Sequence, residues 1–160
     1  MNDIRELEFK FSNEIKNHLK KSLPNLSNDF IDYKPSSEYE DNQLSFDLTF
    51  NVTFTVSIRI RKSKYLKFKD LTIRSRSKGG NPCELDKIKK GLAQVYFYAY
   101  MNEDETELIK IRIVNVESIR NLISENKYTT KTNQDSTEFY AFKFTDIKEA
   151  GGAIYQYDKK

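Results

Sequence analysis

The amino-acid sequence predicts a single α+β domain in which a central mixed or antiparallel β-sheet is flanked by helices. Three observations carry that expectation. A chain of 160 residues suits one domain, able to bury roughly 70% of its unfolded surface. Apolar spacing follows a helical period at the N-terminus and changes to two from Leu44 onward. Eleven Phe and ten Tyr supply the bulky apolar material that disordered chains lack.

The elements follow in order. Ile4, Leu7, Phe11, Ile15 and Leu19 form the stripe of an N-terminal amphipathic helix within 1–24, which Pro24 ends. Glu6, Glu14 and His18 fall off that stripe, so His18 is expected to be exposed. The polar stretch 25–42 is a connection with at most one short strand. Leu44, Phe46, Leu48 and Phe50 then alternate with polar residues, as do Phe54, Val56, Ile58 and Ile60. A turn near Val52 pairs Phe50 with Phe54, Leu48 with Val56 and Asp47 with Ser57, keeping both apolar sets on one face. A third strand, Leu71 to Ser75, is expected beside the second, which would place Arg59, Arg61, Arg74 and Arg76 on one solvent-facing surface. Asn81, Pro82 and Glu84 read as the N-cap, first residue and capping-box acid of a helix that runs through Leu92. Val95 to Met101 and Leu108 to Val116 read as strands, Glu117 to Ser124 as a short helix, and 126–137 as a polar loop. Strands at Glu138 to Phe144 and Ala153 to Tyr157 complete the C-terminal part, 138–160. The order is α-β-β-β-α-β-β-α-β-β over one domain, 1–160.

Several chemistries are disfavoured at once. Cys83 is the only cysteine, so there is no internal disulfide and no thiolate zinc cage, and His18 as the only histidine weakens any His-based triad. No apolar run approaches the roughly 18 residues of a membrane span, and the charged N-terminus is unlike a signal peptide. A cytoplasmic protein without a membrane partner is therefore expected. The abundance of Lys, Asn, Ile, Tyr and Phe, all with AT-rich codons, suggests a mobile element or phage in a bacterial cytosol.

Charge is distributed unevenly. Between Arg59 and Lys90 lie twelve basic and three acidic residues, a local excess of +9 against −6 for the remainder. Such an excess is the footprint of phosphate contacts. The candidate nucleic-acid ligands are Arg59, Arg61, Lys64, Tyr65, Lys67, Arg74, Arg76, Lys78 and Lys87, with Tyr65 and Phe68 set among lysines where a base or sugar could pack. The alternatives are a solvated strand face and a docking surface for an acidic protein. For catalysis the candidates are Asp47 and Glu84, whose carboxylates suit magnesium. Against that, Asp47 could simply pair with Arg59, and Glu84 could simply cap its helix. Gly79-Gly80 before a helix could cradle a phosphate. Cys83 in the first turn would be either a thiol of lowered pKa or a buried inert one.

These residues and their order resemble the restriction-endonuclease-like, or PD-(D/E)XK, superfamily over 44–116. Phe46-Asp47-Leu48 stands where that family's Asp strand would be, and Val56-Ser57-Ile58-Arg59-Ile60-Arg61 stands where its Glu-x-Lys strand would be. The chain is also similar to small phage and plasmid proteins through Thr72 to Ser75, Glu84 to Ile88 and Tyr96 to Tyr98. The resemblance implies a magnesium-dependent nuclease scaffold, but Ser57 replaces the metal-binding Glu and Arg59 the Lys. A hydroxyl lacks the charge a metal needs, and a guanidinium does not donate a proton as an ammonium does. The expectation is a non-catalytic nucleic-acid-binding protein that needs no cofactor. One alternative is a magnesium nuclease with a rearranged site, drawing on Asp47 with Glu84, or with Glu14. The other is an inhibitor that engages a host defence complex. The sequence leaves the oligomeric state open.

Overall fold

Alternation along Val56, Ile58 and Ile60 sends three branched side chains to one side of a strand, and the larger sheet is built around that strand. The computed structural model describes residues 10–22, 34–35, 48–50, 54–77 and 82–159. Its strands are β1 (Lys34–Pro35), β2 (Leu48–Phe50), β3 (Phe54–Arg61), β4 (Asp70–Arg76), β5 (Val95–Met101), β6 (Leu108–Asn115), β7 (Thr129–Thr132), β8 (Glu138–Lys143) and β9 (Ala153–Asp158). Its helices are α1 (Ser12–Ser22), α2 (Glu84–Lys89), α3 (Val116–Ser124) and α4 (Phe144–Glu149). One sheet has the order β1-β2-β3-β5-β6-β9 and the other the order β4-β8-β7. Among the described strands only β3 and β5 run parallel, and the other pairs are antiparallel. The protein is thus a single α+β domain with a mixed and an antiparallel sheet flanked by helices.

The expected hairpin register is present, with Leu48 opposite Val56 and Phe50 opposite Phe54. Asp47 lies outside the described residues. The expected neighbour of β3 is different. A short 3₁₀ turn at Ser63–Tyr65 lifts the chain out of the sheet, so β4 starts the second layer and β5 returns beside β3. Thr55 secures that return: its amide donates to the Gln94 side chain at 2.7 Å, and its hydroxyl donates to the Leu92 carbonyl at 2.8 Å. Such non-local pairing is not encoded in the local period of either strand.

Two-sided burial explains why β5 is apolar throughout. Phe97, Ala99 and Met101 meet Phe11, Ile15 and Leu19 of the N-terminal helix on one face. Tyr96, Tyr98 and Tyr100 share the other face with Leu71, Ile73, Phe142 and the inner sides of α2, α3 and α4. Parts of the expected polar loop 126–137 form β7, the outer strand of the small sheet, and α4 follows β8 without a break. Both were missed for want of an apolar pattern: β7 is Thr-Thr-Lys-Thr and exposed throughout. No helix among the described residues is long and apolar enough to cross a membrane.

The N-terminal helix departs from expectation at its polar positions. His18 is only 7% exposed, because Tyr155 and Tyr157 of β9 cover it, and its Nδ1 lies 3.0 Å from the Tyr155 hydroxyl. One turn earlier, Glu14 accepts the Leu108 amide at 3.2 Å. Burial lowers the His18 pKa below the ordinary 6.5, with the Lys21 charge assisting, and burial raises that of Glu14 above the ordinary 4.5.

Two consequences are measurable. The unfolded chain binds a proton at His18 near pH 6.5 while the folded chain resists it. This contribution is complete above pH 6.5 and is lost as the pH falls from there through the folded value. Glu14 acts in the opposite sense, its ionised form costing stability that is recovered as the pH falls toward 4.5. Urea unfolding across mildly acidic pH should therefore show a shallower loss of stability in His18→Gln than in the wild type. The second consequence concerns Gly152, where a Cβ would stand 1.9 Å from the Ser118 Oγ. That hydroxyl already donates to the Asn115 carbonyl at 2.7 Å and cannot simply swing away. Gly152→Ala should cost about 1–3 kcal/mol in urea denaturation.

Candidate functional site

The face of β3 opposite its apolar row carries Ser57, Arg59 and Arg61, which are in register with Tyr96, Tyr98 and Tyr100 of the parallel neighbour β5. The small sheet lies over this ladder. Thr72 Oγ1 is 3.2 Å from the Tyr98 hydroxyl, and Tyr100 donates to the Asp70 carbonyl at 3.3 Å. Burial, with Tyr98 beside it, pushes the Tyr100 phenol well above its ordinary range, so it remains a neutral donor. Arg74, Phe139 and Lys131 occupy one row across the small sheet.

The four arginines therefore do not share a solvent-facing surface as the sequence predicts. Arg59 and Arg61 belong to one sheet, Arg74 and Arg76 to the other. Thr72, two residues before Arg74 on β4, is only 8% exposed. The polar faces of the two sheets meet instead, and between them lies a cleft of about 390 Å³.

Glu84 closes the inner end of this arrangement. Its carboxylate pairs with Arg59, whose side chain is 12% exposed, and also accepts the Arg74 amide at 2.9 Å and the Tyr96 hydroxyl at 3.3 Å. Burial alone would lower the Arg59 pKa, but the Glu84 charge outweighs it and holds the guanidinium firmly protonated. The expected capping role falls to another residue. The helix begins at Glu84, with Cys83 as N-cap, and Asp86 accepts the Cys83 amide at 2.8 Å. Glu84 is thereby released for the ion pair. The Cys83 thiol is buried, which raises its pKa, and its hydrogen bond to Asp86 raises it further; it is the inert thiol rather than the activated one.

The magnesium expectation meets this geometry directly. Both Glu84 oxygens are engaged by protein donors, so a cation would have to displace Arg59. Asp47 and the Gly79-Gly80 cradle lie outside the described residues. Glu14 lies under the opposite face of the large sheet and cannot join Glu84. Among the described residues no group of three or more His, Cys, Asp and Glu is placed to hold a metal ion. The described donor set does not fit one.

Of the expected nucleic-acid ligands, Arg59, Arg61 and Tyr65 line the cleft, the Arg61 guanidinium stacked 4.0 Å above the Tyr65 ring. Lys64 and Lys67 stand at its rim, over the Tyr65 and Phe68 rings at 5.2 and 5.3 Å. The guanidinium groups of Arg59 and Arg74 both lie near the Phe139 ring, 5.6 and 6.0 Å from its centroid. Arg76 is drawn toward Glu138 at 3.5 Å, Lys87 lies on α2, and Lys78 is outside the described residues. Sequence reasoning missed Phe139 and Lys131 as part of the site. Lys131 pairs with Asp70 and stands 5.1 Å over Phe68. Their segment is remote in sequence from the basic cluster, and only the pairing of β4 with β8 brings them there.

No protein-family model and no curated protein matches the chain. Among solved structures it is similar to D212, a nuclease from a fusselovirus, at 15% identity and a TM-score of 0.42, covering 89% of this chain and 85% of that one. A likeness of that degree says nothing about the chemistry of this chain.

The Arg59–Glu84 pair is testable as a structural joint. Glu84→Gln keeps an acceptor for Arg74 and Tyr96 while removing the charge that balances Arg59. It should cost about 2–3 kcal/mol in urea denaturation, less than a fully buried pair because Glu84 is 27% exposed. In Arg59→Met with Glu84→Gln, where neither charge remains and the acceptor for Arg74 and Tyr96 is kept, much of that loss should be recovered.

Proposed function

We propose that the protein binds nucleic acid through the cleft between its two sheets and the basic rim around it. The observation that carries this reading is Arg61. It has no carboxylate partner among the described residues, its Nε is buried without a hydrogen bond, and its guanidinium stacks on Tyr65 at the cleft wall. A guanidinium held in place by a ring, with donors unspent, suits a phosphate oxygen. Lys64, Lys67 and Arg74 likewise lack carboxylate partners among the described residues and extend the positive field. Arg59 acts as a positioning residue, because its charge is balanced by Glu84. Arg76 and Lys87 contribute at longer range. Binding on these terms needs no metal, since the side chains themselves neutralise the phosphates.

The reading is tested by fluorescence anisotropy of labelled oligonucleotides at several salt concentrations. Contacts from Arg61, Lys64, Lys67 and Arg74 to about four phosphates give a log–log slope of about −3 on single strands. Lys64→Ala with Lys67→Ala removes two exposed cations and should halve that slope while weakening all sequences alike. A response that is flat in salt would assign the basic surface to an acidic protein partner instead.

A further inference from the structure

We infer that the cleft receives one unstacked nucleotide, so that the protein selects single strands over duplex. The inference rests on the nucleic-acid reading and specifies its substrate class.

The dimensions come first. A space of about 390 Å³ falls in the range of small-ligand sites, roughly 300–1,000 Å³, and has room for a nucleotide but not for the width of a helix. A base can enter such a space only after leaving its own stack. In a duplex that costs a few kcal/mol, which a single strand is largely spared.

The lining supplies what an unstacked base lacks. Phe68 is 42% exposed, an unusual position for a phenyl ring, and lies at the mouth with its centroid 6.5 Å from that of Tyr65. Lys67 stands over its ring at 5.3 Å, so a phosphate beside a stacked base would meet an ammonium group, while Lys131, held by Asp70, stands 5.1 Å from the same ring. Deeper in, Asp70 and the hydroxyls of Thr72 and Tyr98 offer hydrogen bonds to a base edge. Arg61 presents its guanidinium from the wall. Aromatic face, edge-binding groups and phosphate ligand thus converge on one small volume. A purely electrostatic surface would need neither the exposed ring nor the enclosed polar floor.

The experiment compares three labelled probes at one moderate salt concentration: a thymidine and a uridine homopolymer of about twelve nucleotides, and a DNA duplex of the same length. The expected result is binding to at least one single strand about tenfold tighter than to the duplex. The two homopolymers report whether a 2′-hydroxyl is accepted. Phe68→Ala removes an exposed ring without opening the core. It should weaken single-strand binding about 5- to 20-fold, in keeping with the loss of one stacked base, and leave duplex binding within about twofold. Phe68→Tyr, which keeps a ring, should retain wild-type affinity. Equal affinity for single strand and duplex, with the salt slope intact, would overturn the single-nucleotide inference while leaving nucleic-acid binding in place. A uniform loss on both probes in Phe68→Ala would likewise overturn it. Absence of salt-dependent binding to any probe would overturn both.

Discussion

The Glu84 carboxylate holds the two layers of this protein in register. It stands at the first residue of a helix, yet its oxygens reach a guanidinium on β3, an amide on β4 and a phenol on β5. Three strands from two sheets therefore converge on one charge. The site is mostly screened from water, where an unbalanced charge is costly and a balanced one is directional. Its stabilising contribution is modest compared with the apolar burial around Tyr96, Leu71 and Ile88. What it supplies is a defined spacing between the sheets, and the cleft is the space left by that spacing.

This joint divides the arginines into two kinds. Arg59 is balanced and largely withdrawn from solvent, so it shapes the wall and contributes little net field. Arg61 and Arg74 are stacked on or beside rings, without carboxylates of their own among the described residues. The positive excess between Arg59 and Lys90 is consequently reduced by acids from distant segments: Glu105 takes Lys62 and Glu138 approaches Arg76. The charge that remains is concentrated at the cleft and its rim. A flat basic sheet face would grip phosphates without discrimination, whereas an enclosed basic cleft adds shape.

Rigidity behind the cleft comes from the two-sided burial of β5. One face rests on the N-terminal helix and the other on the second layer. The tyrosine ladder on that strand therefore presents fixed hydroxyls to Thr72 and Asp70. Close-packed interiors of this kind transmit little slack, so the cleft floor is the least adaptable part of the site. Its mouth, formed by the 3₁₀ turn and the residues that follow, carries the exposed ring and the uncommitted lysines.

The apolar strands β3, β5 and β6, the β2–β3 register, the core stripe Phe11, Ile15 and Leu19, and the grouping of Arg61, Lys64, Tyr65 and Lys67 were determined by the sequence itself. Each depends on side-chain period or on residues close in the chain, and backbone geometry converts such spacing into a shared face without reference to the rest of the molecule. Only the tertiary structure decided that β4 leaves β3 for a second layer, that Thr-Thr-Lys-Thr is a strand, and that His18 lies under β9. It likewise decided that Asp86 caps α2, so that Glu84 is available to Arg59. One wall of the cleft, with Phe139 and Lys131, arrives from segments more than sixty residues beyond Lys67. Which strand pairs with which, and which charge meets which, depends on burial summed over the whole chain. No local pattern carries that sum.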